Sequence, residues 1–506
     1  MVGRVAAMRA LDGLGHPVAW WAVLKLPSHV QSPDGNQPVV PTPCDCVVPD
    51  CSNVATAGWP ALEARSTGLC YLYADSRTPE FRHFRELGYD CLGQGGNDPV
   101  SQTLKQKDQE DSYWAIFNDQ LNGIAGAYHP NGTTNVENGK QVCGGGDAFS
   151  AHAKGAVAFE SEGGGFFLQT STPNFPDPTR NDSFVRLGCQ SDNNVQFAQH
   201  MLAMSLGDSE LMKLGKKLQL ARLCSGNFFQ NGSLHELLGS ANMFEDGQKQ
   251  ENTTAAAFYH ALLDPNLPMQ NSSDPMKTEF SLKLSAENMK SRIFEPLDED
   301  QSLTDLVEPV DKEEILVLVK SPRAAVPPWA LVAEMLDSDM SVASWWDGSY
   351  GIPTICAGDV FSNAPHEFCL NDPLTGVELN ADGSAPYNIE NLMRATWQMN
   401  NGSTNLTWQL VGGRVLDGNH AKWGLTTPRS GQANISNSYV IFGDLNMEGF
   451  PCSKTCNGSQ AAQMPHLSGQ KDLRMCHRGC VKKIEEHLEP TQLPILSSNA
   501  SSFWST

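Results

Sequence analysis

A chain of 506 residues with 40% hydrophobic and 18% charged residues has the make-up of a folded globular protein, which excludes a disordered one. Its formal net charge of −22 excludes tight, non-specific polyanion binding at neutral pH. Protonating its 13 histidines brings that to about −9, so a polyanionic substrate suits it mainly in an acidic compartment. No uninterrupted apolar run approaches the roughly 18 to 20 residues of a membrane span, so no membrane span is expected.

In chain order, Val18 to Pro27 reads as a buried strand closed by proline. A Pro- and Cys-rich stretch over 28–60 has no period of its own and reads as a surface insertion. Gly68–Asp75 and Trp114–Asp119 are further strands, and Asn118 and Asp119 at the end of the second are weak substrate-contact candidates. Gly155 to Phe159, a Ser-Glu-Gly-Gly-Gly turn over 161–165, and Phe166 to Leu168 form a hairpin. Helical periodicity is expected over 197–222, with Met201, Met204, Leu206, Leu211, Leu214, Leu218 and Leu220 as the apolar face. Lys213, Lys216 and Lys217 give it a small basic face, whose default reading is solvation. Residues 225–275 are polar and read as the least regular part, so the junction between two halves, 1–235 and 275–506, falls over 236–274. The second half carries an apolar run at 314–319, a helix over 328–337, a polar stretch over 371–390, a second hairpin and a cysteine-rich tail.

There are 14 cysteines and ten Asn-x-Ser/Thr sequons, at Asn131, Asn181, Asn231, Asn252, Asn271, Asn401, Asn405, Asn434, Asn457 and Asn499. Together they point to an oxidising lumen, N-glycans and a disulfide-stapled fold, in a lysosomal or secreted protein. Met1 to Leu14 shows no apolar h-region or cleavage site, so no signal peptide is visible and the true start is expected upstream. Cys44, Cys46 and Cys51 read as disulfide-forming. So do Cys452, Cys456, Cys476 and Cys480, with zinc held by these four and His466 and His477 as the lesser alternative. Trp20-Trp21 and Trp345-Trp346 read as packing rather than base-stacking platforms.

One pattern occurs twice. His152-Ala153-Lys154 leads through a hairpin to Ser171-Thr172-Pro173-Asn174, and His420-Ala421-Lys422 leads to Gly443-Asp444-Leu445-Asn446. Residues i and i+2 of a strand share a face, so each copy presents an imidazole and an ammonium together. A single His-x-Lys is ordinarily an exposed strand face. Two copies, each with an Asn about 20 to 24 residues after the Lys, point to a pseudo-twofold site around one anion. Two imidazoles can divide phosphodiester hydrolysis, one attacking phosphorus and the other protonating the leaving alkoxide. Lys154 and Lys422 would hold the non-bridging oxygens, and Asn174 and Asn446 would donate amide hydrogen bonds as charge develops. This chemistry needs no cofactor and no metal.

These anchors, with Trp20 to Pro27 and Phe117-Asn118-Asp119-Gln120, resemble the signature of the deoxyribonuclease II family, in order through most of the chain. The resemblance implies an α/β, phospholipase D-like pseudo-dimer of two mixed-sheet halves with the active site at their interface. It also implies a metal-independent acid endonuclease that takes DNA as substrate and leaves 3′-phosphate ends, usually lysosomal or secreted. The catalytic set carried over is His152, Lys154, Asn174, His420, Lys422 and Asn446. Glu160 and Asp444 are candidate orienters of an imidazole. Superfamily analogy makes His152 the nucleophile and His420 the acid, which spacing alone does not decide. The chain departs from the family at Thr170, where a His is common, and at Gly449-Phe450-Pro451-Cys452, which replaces an Arg/Gly-rich stretch. It departs again at Gly424 and Ile441, which stand where two cysteines are usual, as though one disulfide had been lost. The alternatives are a phosphodiesterase of the same fold acting on a lipid or small diester, and a glycoprotein that keeps the fold without the activity.

Overall fold

A computed structural model describes residues 8–32, 39–46, 68–109, 112–117, 136–137, 140–141, 153–160, 164–173, 175–176, 187, 196–221, 225–230, 233–235, 254–255, 257–258, 277–285, 314–321, 326–344, 355, 357, 376–399, 404–410, 417–427, 429 and 439–444. Nine strands build a large sheet: β1 (Trp20–Lys25), β2 (Tyr71–Asp75), β3 (Thr78–His83), β4 (Ser112–Phe117), β5 (Lys154–Glu160), β6 (Gly165–Thr170), β7 (Gln199–Leu206), β8 (Ser225–Gln230) and β9 (Ser233–His235). Their spatial order is β9-β8-β4-β5-β6-β7-β1-β2-β3, and every neighbouring pair is antiparallel.

The central strands are covered on both faces. All six residues of β1 and all eight of β7 are buried. Trp20, Trp21, Phe117, Phe159 and Phe166 are among the largest fully buried side chains, each worth roughly 1.5–3 kcal/mol of transfer free energy. Helix α1 (Pro99–Leu104), capped by the Asp98 carboxylate accepting from Ser101 N, meets this layer through Thr103, whose hydroxyl accepts from Trp21 Nε1 at 3.0 Å.

The expected helix over 197–222 is corrected. Residues 199–206 are the strand β7, and only Asp208–Leu218 is helix (α2). A strand buried on both faces loses its polar alternation, so its apolar spacing mimics a helix. The break is at Gly207, the N-cap, after which Asp208 and Glu210 in the first turn and Lys216 and Lys217 in the last complement the helix dipole.

The stretch over 28–60 is not wholly a surface insertion. A short hairpin pairs His29–Val30 with Val40–Pro41, Ser28, Val30, Thr42 and Cys46 are buried, and disulfides join Cys44 to Cys70 and Cys46 to Cys91. Cys51 lies outside the described residues, as does the cysteine-rich tail. The stretch beginning at 225 is not irregular throughout, since β8 and β9 extend the large sheet to its edge.

Further on, β10 (Lys277–Lys283) pairs antiparallel with β11 (Glu314–Lys320). Helix α3 (Pro328–Leu336) leads into β12 (Asp339–Ala343), then β13 (Ile389–Asn391), β14 (Arg394–Met399), β15 (Thr404–Gln409), β16 (Trp423–Thr427) and β17 (Val440–Phe442). A four-stranded sheet runs β13-β12-β16-β17, with β12 and β13 parallel and the other pairs antiparallel. The architecture is therefore mixed α/β with several sheets and few helices, and strand directions mix in the smaller sheet while the large one is purely antiparallel. A second core of Val326, Trp329, Leu331, Met340, Val342 and Ile389 packs α3 onto the smaller sheet. Among the described residues, no helix is long and apolar enough to cross a membrane.

Candidate active site

Lys154 and the second His-x-Lys segment meet at strand ends. Lys154 opens β5, opposite Thr170 at the end of β6, and Ser171 continues past it beside His200 of β7. The second segment, Asn419 to Lys422, leads into β16 of the smaller sheet. It is tied to the end of β7: Ala198 N donates to Gly418 O at 2.9 Å and His420 N donates to Ala198 O at 2.8 Å, a parallel bridge between Ala198 and Asn419. Asn419, fully buried, holds the turn by donating to Ala421 O and accepting from Ala421 N.

At this junction Asp444 binds both lysines. Lys154 Nζ lies 3.2 Å from Asp444 Oδ2, and Lys422 Nζ lies 3.6 Å from Asp444 Oδ1. Both lysine side chains are fully buried, where charges persist only when paired and hydrogen-bonded. One carboxylate thus joins lysines that enter from two different sheets. Asp444, expected to orient an imidazole, engages ammonium groups in the described residues.

His420 is buried beside them. Its Nδ1 lies 2.9 Å from Ser171 O, 3.2 Å from Gln199 Oε1 and 3.2 Å from Lys422 Nζ. A main-chain carbonyl only accepts, so Nδ1 carries the proton and donates to Ser171 O, with Gln199 Oε1 as a second acceptor. The lysine contact is then proximity rather than donation. Ser171 Oγ donates to the same Gln199 oxygen at 2.7 Å, which fixes the amide that faces the ring. In neutral His420, Nε2 therefore carries the lone pair and is the nitrogen able to react.

His200 is fully buried next to the lysines, and its Nδ1 accepts the main-chain N–H of Lys422 at 3.1 Å. Burial, and then the charges of Lys422 and Lys154, push its pKa well below the usual imidazole range, so it stays neutral.

Lys154, Lys422, His420 and Asp444 are thus brought together. Glu160 is not: it ends β5, opposite Ser112 of β4, six residues and roughly 20 Å of strand from Lys154. Burial raises its pKa, with Arg9 and Asp208 as the charges around it. His152, Asn174, Asn446, Asn118 and Asp119 lie outside the described residues. Ser171, Gln199 and His200 have no individual role in the sequence reading. Gln199-His200 at the head of an uncharged run that stops at Gly207 was the available signal: two polar groups at a strand end, hidden by the helical reading.

Among the described residues, the cluster of metal-ligating side chains is Cys44, Cys46 and Cys70, all engaged in disulfides.

The model of the deoxyribonuclease II family matches residues 59–371, more than half of the chain. The chain belongs to the deoxyribonuclease II family. The match takes in the first His-x-Lys segment and ends before the second, and the ion pairs with Asp444 are what bring Lys154 and Lys422 together. The chain is also similar to the mouse (Mus musculus) protein deoxyribonuclease-2-alpha, 25% identical over 212 residues, or 42% of this chain. It spans 45% of that relative's length.

Gly424 and Ile441, where the sequence resemblance leads one to expect two cysteines, are direct cross-strand partners in β16 and β17. A Cβ on Gly424 would meet the Trp329 ring at 3.0 Å, Val342 at 3.1 Å and Met340 at 3.2 Å. Here the space beside the strand is filled by the Trp329 core.

Proposed function

We propose that this chain is a metal-independent acid endodeoxyribonuclease that hydrolyses DNA phosphodiesters to 3′-phosphate ends through a phosphohistidine. The observation that carries this reading is the pair of lysines, one from each His-x-Lys segment, on opposite oxygens of Asp444. It supports a phospholipase D-like pseudo-dimer whose halves, 1–235 and 275–506 with 236–274 between them, share one centre. Glycosylation at the sequons and a lysosomal or secreted location fit the two disulfides and the exposed sequon residue Asn405.

In the first step a neutral imidazole nitrogen attacks phosphorus, and the P–O5′ bond breaks as the other imidazolium gives its proton to the O5′ leaving group. The DNA 3′-phosphoryl group is now on histidine. Water then attacks that phosphorus and yields its proton to the second imidazole; the P–N bond breaks and a 3′-phosphate is released. By superfamily analogy His152 attacks and His420 is the acid. The Nδ1–H held by Ser171 and Gln199 leaves His420 Nε2 for that proton. Lys154 and Lys422 hold the non-bridging oxygens, and Asn174 and Asn446 donate to them. The positive charge of the two lysines at the phosphate supplies what a metal would otherwise supply.

The test is plasmid DNA incubated with the purified chain at about pH 5 in EDTA, with the ends mapped and an acid quench to trap phosphohistidine. Cleavage to 3′-phosphate with a trapped phosphohistidine supports the reading; inert DNA rejects it.

A second reading, a phosphodiesterase for a diester with an apolar tail, has one observation in its favour. A cavity of about 230 Å³, lined by Phe167, Leu202, Met204, Leu218, Val332 and Met335, reaches Gly443 and Asp444. Turnover of a phospholipid or small diester beside inert DNA would select it.

A further inference from the structure

We propose that His200 is a positioning residue: its imidazole takes the place of a strand carbonyl and fixes the main chain of Lys422, and so sets the register of the second His-x-Lys segment.

The argument is a hydrogen-bond ladder that stops one rung early. Along the junction, Ala198 N donates to Gly418 O and His420 N donates to Ala198 O. In a parallel ladder the next two rungs would be His200 N to His420 O and Lys422 N to His200 O. Neither is open. His200 N donates to Ser171 Oγ at 3.0 Å, and His200 O accepts Ser171 N at 3.1 Å and Thr170 Oγ1 at 3.3 Å. The large sheet has claimed both groups. Lys422 N would then be a buried donor without an acceptor, at a cost of about 1–3 kcal/mol. Instead it donates to His200 Nδ1 at 3.1 Å.

A main-chain N–H can only donate, so Nδ1 is the acceptor and the proton of the neutral ring sits on Nε2. That Nε2 is buried with no partner among the described residues. Leaving a buried donor unsatisfied is itself costly, which points to Nδ1, not Nε2, as the atom this position requires. The ring also rests against Phe442 at 5.5 Å between centroids, two residues before Asp444. Gly443 N donates back to Lys422 O at 3.0 Å. One side chain therefore connects β7 of the large sheet to both Lys422 and the strand that delivers Asp444.

The test compares His200→Asn with His200→Phe in the full chain. Asparagine Oδ1 stands two bonds from Cβ, as Nδ1 does, and can accept the same N–H. Phenylalanine keeps a planar ring and removes the acceptor. His200→Leu serves as a smaller acceptor-less variant should the phenylalanine form fail to fold. The inference predicts amide exchange at Lys422 at least about tenfold faster in the Phe or Leu variant and unchanged in Asn. In the kinetic arm, which rests on the nuclease reading, kcat on DNA at acid pH falls about 10–100-fold in the acceptor-less variant. KM holds within about twofold, and Asn restores kcat to within about threefold. Wild-type protection of the Lys422 amide in folded His200→Phe or His200→Leu protein would overturn the inference. So would failure of Asn to rescue. If the wild-type chain cuts no DNA, the nuclease reading fails, while amide exchange still decides the role of His200.

Discussion

His420 and Ser171 are separated by 249 residues of chain, yet His420 Nδ1 donates to the Ser171 carbonyl at 2.9 Å. That bond, with Gln199 behind it, fixes Nδ1 as the nitrogen that carries the proton of neutral His420. Replacing the ring by His420→Ala is expected to abolish EDTA-resistant DNA cleavage while far-UV circular dichroism stays native. His152→Ala is expected to do the same. Substantial cleavage by either variant would end the two-imidazole mechanism.

Gln199→Leu tests the orientation of that ring. The variant keeps the side-chain volume but removes the second acceptor for His420 Nδ1–H and the acceptor for Ser171 Oγ. A fall in kcat of about tenfold at nearly unchanged KM is expected, because a ring free to turn loses near-attack geometry rather than substrate binding. A pure KM effect measured on the same DNA substrate would place Gln199 in binding instead.

Asp444→Asn separates charge from shape. The amide keeps the volume between Lys154 and Lys422 but leaves two buried ammonium groups without their shared carboxylate. Removing one member of a buried ionic group typically costs about 3–5 kcal/mol. Urea unfolding should show a loss of that order, and DNA cleavage should drop at least about 100-fold. Wild-type stability in Asp444→Asn would mean that the two lysines do not depend on this carboxylate.

The repeated His-x-Lys is visible in the sequence because the pattern is local, although the second copy lies just before β16 rather than within it. The hairpin after Lys154, the strand at β1 and the helix at α3 were readable for the same reason, each having its own turn or period. What stayed hidden is set by tertiary contact. Gln199 and His200 look like the start of a helix until β7 is seen buried on both faces, and Ser171 matters through its main-chain carbonyl, which every residue possesses. Asp444 stands out in the sequence beside the second Asn, but its pairing with a lysine of the other segment is a property of the junction between sheets. Glu160 enters the candidate set on family likeness alone, and strand β5 carries it to the far end.

Two buried groups outside the site give stability a pH dependence with opposite signs. Burial raises the Asp98 carboxyl to about 6, while burial and Arg85 lower His83 to about 4. For Asp98 the fold binds the proton more tightly than the unfolded chain does, so its contribution is full below about pH 4 and is lost as pH rises to about 6. At most about 3 kcal/mol is at stake. For His83 the unfolded chain binds the proton more tightly, so stability is lost as pH falls from about 6.5 to about 4. Asp98→Asn keeps the helix cap and removes the ionisation. It should raise the melting temperature at pH 7 more than at pH 4.5, and equal shifts at both pH values would reject the assignment.

The Gly424–Ile441 pair predicts how this chain responds when a side chain is placed at Gly424. Gly424→Ala places a methyl group 3.0–3.2 Å from Trp329, Val342 and Met340, tighter than ordinary packing. Overpacking of this kind costs about 1–3 kcal/mol, and the strain falls on the strand that follows Lys422. Gly424→Cys with Ile441→Cys places two cysteines directly across the β16–β17 pair. The double variant therefore trades the same crowding against a constraint on the unfolded chain. Unfolding under oxidising and reducing conditions separates the two terms: reduction should leave the double variant less stable than wild type by at least the Gly424→Ala cost, because Ile441 also gives up its packing against the Trp329 core. Wild-type stability of Gly424→Ala would mean that the Trp329 core can yield.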